Sequence, residues 1–141
     1  MNLDSFGWRS NYELGNDHID GEHRIFLGLI KKLAEDIGSN RHRDRVLRTF
    51  AEVVKYAEFH FLSEENLMLD VGYPDYAAHH ALHEELLAEL RRHRQDYEQD
   101  RIDLLAVVQF LLEWFVRHTV SEDVKIGAFM ADAERKGTLP A

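Results

Sequence analysis

The chain has 141 residues, 45% hydrophobic and 30% charged, enough for one domain that buries roughly two-thirds of its unfolded surface. Its formal charge of -9, from 26 acidic against 17 basic side chains, repels phosphate backbones and anionic lipid heads and argues against nucleic-acid binding. The lack of cysteine excludes disulfide frameworks, thiolate catalysis and cysteine-ligated metals, and two Pro and eight Gly are too few for a loop-rich β protein.

Residues 1–16 mix Gly, Asn, Asp and Ser with Phe6, Trp8 and Tyr12, which predicts an extended N-terminal arm whose rings pack on a core. A first helix follows, with Ile19, His23, Phe26, Ile30, Leu33 and Ile37 at alternating four-three spacing, ending at Gly38 to Asn40. Asp17, Asp20 and Glu22 read as acidic groups capping its start. The second helix carries Val46, Phe50, Val53, Ala57, His60, Glu64 and Leu67 and stops in Asp70-Val71-Gly72-Tyr73-Pro74. The third spans about Asp75 to Tyr97, with Tyr76, His79, His83, Leu86, Leu90 and His93 in its seam and a solvated face of Glu84, Glu85, Glu89, Arg91, Arg92 and Arg94. The fourth begins near Asp103 and offers Leu104, Val108, Leu111, Phe115 and His118.

A short C-terminal helix is expected after Ser121 as its cap, with Glu122 and Asp123 in its first turn. β-branched Thr119 and Val120 predict a kink or restart between His118 and Asp123. The whole reads as all-α, an antiparallel up-down-up-down four-helix bundle in a single domain over 1–141: arm 1–16, bundle 17–135 and frayed tail 136–141. No basic-then-apolar leader and no 18-residue apolar run is apparent, which predicts a soluble, cytoplasmic protein without membrane insertion.

Nine histidines are the unusual number. In an antiparallel bundle His23, His60, His79, His83 and His118 fall at one end, at levels that agree within roughly one helical turn. One buried histidine is ordinarily a hydrogen-bonded core residue. Five facing one another with Glu64 carry a desolvation cost that a bound cation would relieve. His60 with Glu64, and His79 with His83, are i, i+4 pairs able to face one ion. Asp123 lies roughly 140° from His118 on an ideal helix, so it joins them only if the expected break swings it inward. His18, His42 and His80 fall off the seam and His93 lies at the other end; all four are expected to be solvated or singly hydrogen-bonded.

Ile19-Asp20-Gly21-Glu22-His23, His60-Phe61-Leu62-Ser63-Glu64-Glu65, Gly72-Tyr73-Pro74 followed by His79-His80-Ala81-Leu82-His83, and Trp114 to His118 then Asp123 resemble the hemerythrins, specifically the bacterial single-domain type. The arm residues Trp8, Tyr12 and Gly15 are similar to that family's leader. The resemblance implies an oxo- or hydroxo-bridged non-haem di-iron centre. His79, His83 and His118 would hold one iron, His23 and His60 the other, and Glu64 and Asp123 would bridge them. Coordination counting then leaves one open position, on the iron with two histidines, for dioxygen.

Phe26, Trp114, Phe115 and Thr119 are candidates for lining the oxygen pocket. Thr119 departs from the aliphatic residue usual in the family, and Glu22 stands where relatives commonly have Gln. The implied function is reversible dioxygen binding for carriage, storage or delivery, with an oxygen-consuming enzyme as a conceivable partner. Alternatives are an oxygen or redox sensor acting through a partner, a di-iron enzyme for nitric oxide or peroxide, and a metal-free interaction module. The absence of any Glu-x-x-His motif argues against a ferritin-like oxidase.

Overall fold

The structure, a computed structural model, describes residues 7–39 and 42–139; Phe6 of the predicted arm, Asn40 and the last two residues of the predicted tail lie outside the described residues. A short 3-10 turn, Ser10–Tyr12, precedes α1 (Asp17–Gly38), α2 (Arg43–Val71), α3 (Tyr76–Glu98), α4 (Leu104–His118) and α5 (Val124–Lys136), with a π-helical turn, Thr119–Asp123, between the last two. Among the described residues there is no strand. Helices α1 and α2 are antiparallel, as the Lys32–Glu52 ion pair at one level and the Glu22–His60 contact at another require. The expected four-helix bundle is present, with α1 packed on α2 and α4, and α2 on α3.

Local chemistry sets the boundaries. Asn16 caps α1 by accepting from Ile19 N–H at 3.0 Å, and Asp103 caps α4 through Leu105 N–H at 3.0 Å, each such cap contributing about 1 kcal/mol. Gly72 ends α2 at φ 71°, a left-handed conformation that suits glycine. The core is filled by Phe26, Ile30, Phe50, Leu90, Leu111 and Leu112, all essentially inaccessible. Beyond Glu64 the buried seam of α2 continues to Met68; Leu67 is only half-buried, because i+4 and not i+3 faces inward there.

Two expectations about the ends of helices are corrected. Ser121 caps nothing: the chain does not restart but widens, and Val124 N–H donates to Thr119 O, five residues back. Asp20 is not a helix cap either. It is buried, and its carboxylate accepts from Leu14 N–H at 2.9 Å and Gly15 N–H at 3.3 Å, tethering the arm to α1. The combined stretch Leu104–Lys136 holds an 18-residue window of mean hydropathy 1.2, apolar enough by length and composition to cross a membrane. Its apolar residues Val108, Leu111, Leu112 and Phe115 are spent in the bundle core.

The arm lies against the histidine-rich end. Tyr12 is buried, its ring edge-on to Phe115 at 5.8 Å, and Trp8 packs on Tyr12 at 5.3 Å under the Arg24 guanidinium at 4.6 Å. Gly127 of α5 is required here, since a Cβ would overlap the backbone carbonyl of Leu14. Gly127→Ala is therefore expected to push the arm off α5 and to destabilise the fold by about 1–3 kcal/mol, read as a lower midpoint in denaturant; an unchanged midpoint would disprove the close approach.

Candidate metal centre

Seven side chains meet at one level of the bundle: His23 from α1, His60 and Glu64 from α2, His79 and His83 from α3, His118 from α4 and Asp123 from the π turn, every one buried. The two carboxylates divide the five imidazoles. Glu64 Oε1 lies 2.7 Å from His79 Nε2 and 3.2 Å from His83 Nε2, while its Oε2 lies 3.4 Å from both His23 and His60 Nε2. Asp123 repeats the division: Oδ1 is 3.0 Å from His79 Nε2 and 3.1 Å from His118 Nε2, and Oδ2 is 3.1 Å from His23 Nε2. One oxygen of each carboxylate thus faces His79, His83 and His118, and the other faces the His23 and His60 side.

The π turn brings Asp123 in. On an ideal helix it points away from His118, but five residues in the wider turn return it to the same face. The sequence-based expectation of a break was right in its place and in its geometric consequence, although the device is a widened helix.

Two further carboxylates stand behind the cluster. Glu22 accepts from His60 Nδ1 at 2.8 Å and from Ser63 Oγ at 2.8 Å, and meets the exposed His18 at 2.9 Å. Glu65 lies 2.7 Å from His83 Nδ1 and 2.8 Å from His80 Nδ1. Each fixes a tautomer, because an Nδ1–H donated outward leaves the Nε2 lone pair aimed at the cluster. Glu22 is buried, so its reading as a helix-capping acid is corrected: it faces His60 across the α1–α2 interface. Glu65 had no assigned role. Its signal was available, since it follows Glu64 and so projects about 100° round α2, toward α3.

Inside the cluster several atoms go unmatched. His23 Nε2, Glu64 Oε2 and Asp123 Oδ1 are buried without a correctly directed hydrogen bond, and His83 and His118 turn their Nε2 atoms on each other at 3.3 Å. Buried lone pairs aimed at a common centre are what a cation satisfies. The donor set of imidazole and carboxylate, without thiolate, suits iron. The residues therefore fit a bound metal.

Electrostatics agree. Burial would depress the basicity of His23, but Asp123 and Glu64 against it overcome that and lift its pKa to about 10. Burial likewise opposes protonation of His79, and the same two carboxylates lift it to about 9. Burial disfavours ionised Glu64 and Asp123, yet the surrounding imidazoles hold both below the usual carboxylate range.

Residues 14–129 match the family model described as the hemerythrin HHE cation binding domain. The chain belongs to the hemerythrin family. Among hemerythrin relatives, the bacteriohemerythrin of Clostridium acetobutylicum is 28% identical over 84% of this chain and 95% of its own length. That of Stenotrophomonas maltophilia is 30% identical over 82% of this chain and 75% of its own. The myohemerythrin of Riftia pachyptila is 27% identical over 84% and 88%. A solved wild-type hemerythrin superposes with a TM-score of 0.73, covering 81% of this chain and 88% of that one at 24% identity.

Within this hemerythrin fold, Phe26, Trp114, Phe115 and Thr119 do come together. With His23, His60 and His118 they enclose a cavity of about 10 Å³ beside the cluster. Phe61, which the sequence reading passed over, lies in the same wall and stacks flat on His83 at 3.9 Å. Trp114 stacks on His118 at 4.4 Å and also lines a solvent-side cavity of about 360 Å³ with Leu82, Leu86, Phe110 and Arg117. His42 and His18 are exposed and His80 bonds Glu65, as expected; His93 instead is partly buried against Phe110 at 5.8 Å, with its Nδ1 unpaired among the described residues.

The pH dependence of the chelated protein follows from these shifts. The stability that raised His23 and His79 contribute is complete below the ordinary histidine value of 6.5 and is lost as pH rises through about 9 to 10. That from lowered Glu64 is complete above 4.5 and is lost as pH falls. Thermal melting of the chelated protein should therefore peak between those limits; a midpoint that climbs from neutral to pH 10 would contradict this charge arrangement.

Proposed function

We propose that the chain holds two iron ions in this cluster and binds dioxygen reversibly, as a soluble cytoplasmic protein for oxygen carriage, storage or delivery and not as an enzyme. The observation that carries the reading is the division of oxygens, one of each carboxylate toward each histidine group. On it, His79, His83 and His118 would hold one ion and His23 and His60 the other, with Glu64 and Asp123 shared between them. When bound, an iron pair would supply the two reducing electrons that dioxygen binding requires.

The chain's own residues do the rest. Glu22 and Glu65 keep His60 and His83 in the tautomer that offers Nε2 inward. Phe26, Phe61, Phe115 and Trp114 exclude water: a cavity of about 10 Å³ is at the threshold for even one water molecule. A dry wall favours an apolar diatomic over ions and retards loss of charged oxygen species. Thr119 interrupts that wall with a hydroxyl.

The test is iron content with absorption spectra after anaerobic reduction, after admission of oxygen and after its withdrawal. Two irons per chain with a visible band that appears with oxygen and disappears on its removal are expected; absence of iron, or oxidation that never reverses, defeats the proposal. His79→Ala should lower iron affinity at least about tenfold, measured by competition with a chelator, and a variant that keeps wild-type affinity takes His79 out of the ligand set. Thr119→Ile should slow autoxidation of the oxygen-loaded protein, followed by decay of the same band; an equal or faster decay means that the hydroxyl is not a route for water.

A further inference from the structure

The outer face of α2 changes character halfway. Its exposed positions recur at three-four spacing, and the first half carries Arg45, Arg48, Glu52 and Lys55, as a solvated face should. The second half carries Phe59, Leu62, Asn66 and Leu69, with Phe59 54%, Leu62 59% and Leu69 58% exposed. Ile25, 55% exposed, lies on α1 at the level of Phe59, between the Lys32–Glu52 and Glu22–Ser63 contacts. Among the described residues the remaining exposed large apolar side chain is Leu105, and at 38% it is far less open. Four such residues on one face form the kind of patch that marks an interface.

The same face has a hollow. Asn16 and His18 on one side and Ser63, Asn66 and Asp70 on the other surround an open cavity of about 200 Å³, floored by Ile19 and Leu67. Cavities of about 150 Å³ accept benzene, so this one has room for an aromatic ring. Phe59 and the hollow lie on opposite sides of Leu62, and the charges do too: Lys55, 81% exposed, stands at one end, and exposed Asp70 at the other. Among the described residues Lys55 is engaged only by Glu58 at 3.6 Å on its own helix, an exposed pair of small worth.

We infer that this face is a homodimer interface, formed by two copies of α2 packed antiparallel about a two-fold axis near Leu62 and Ser63. A two-fold contact uses each feature twice. It sets Leu62 against Ser63 of the second copy beside the axis, seats Phe59 of each copy over the hollow of the other, opposite Asn66, and brings Lys55 to Asp70 of the second copy. Projection and hollow, and cation and anion, lie at matching distances from that axis, which a random partner surface would not require. The net charge of -9 disfavours an anionic membrane as the occupant and also opposes self-association, so the contact must be carried by the apolar residues and the Lys55–Asp70 pairs.

The inference is independent of iron. Analytical ultracentrifugation of the full chain should give a dimer whose dissociation constant rises at least tenfold in Leu62→Arg and in Phe59→Ser, with the circular dichroism spectrum unchanged because both side chains are on the surface. Lys55→Asp should weaken the dimer, and adding Asp70→Lys should restore it. The chain has no cysteine, so Leu62→Cys offers a single thiol next to the axis: mild oxidation should yield a covalent dimer, whereas Leu105→Cys under the same conditions should not. A single-chain mass at concentrations up to about 1 mM, a dimer indifferent to Leu62→Arg, or adsorption of this face to phosphatidylcholine vesicles in place of self-association would each overturn it.

Discussion

Everything in this bundle is arranged round one expense, the removal of five imidazoles and two carboxylates from water within a single layer of apolar core. Isolated, each such charge would cost several kcal/mol. The cost is contained because the groups face one another in complementary pairs, with His23 and His79 raised in basicity by the carboxylates they meet and Glu64 and Asp123 correspondingly lowered. Complementarity is nevertheless incomplete. Lone pairs remain unmatched at the centre, so the arrangement is better completed by cations than by protons, and metal uptake there must release protons.

The departures from regular structure serve that layer. A regular helix through residues 119–123 would have carried Asp123 to another face, leaving Glu64 alone among five imidazoles. The π turn costs one misplaced hydrogen bond per extra residue and returns the second carboxylate. The arm is the other adaptation. Held by Asp20 and admitted by Gly127, it presses Tyr12 on Phe115, which in turn faces His23 at 5.9 Å, so a segment outside the bundle stiffens the wall of the site.

The helices and the convergence of His23, His60, Glu64, His79, His83 and His118 were legible because spacing along a helix and offset from a turn are one-dimensional quantities. Asp123 was legible only as a conjecture, since β-branched Thr119 and Val120 announce a disturbance without saying that it widens the helix. Glu22 and Asp20 were misread for a definite reason: acidic residues near a helix start suit its dipole, and nothing local reveals that one reaches across to His60 and the other back to the arm. Those are contacts between elements. Glu65 was overlooked because it lies off the seam that periodicity picks out, yet a side chain beside the seam is the one placed to touch the back of a ring on the next helix.

Trp114, like His118, lines both the small cavity beside the cluster and the larger solvent-side cavity. Its ring stacks on His118, and the cavities of about 10 Å³ and about 360 Å³ lie on its two sides. The inner space, of about 10 Å³, is at the threshold for a single water molecule. Phe26, Phe61 and Phe115 are buried among other core residues, so moving them disturbs packing on every side, whereas Trp114 is half-buried and borders open volume into which it can turn. On the proposed function, the ring that borders both spaces is also stacked on a ligand-side histidine, so its packing is coupled directly to the cluster.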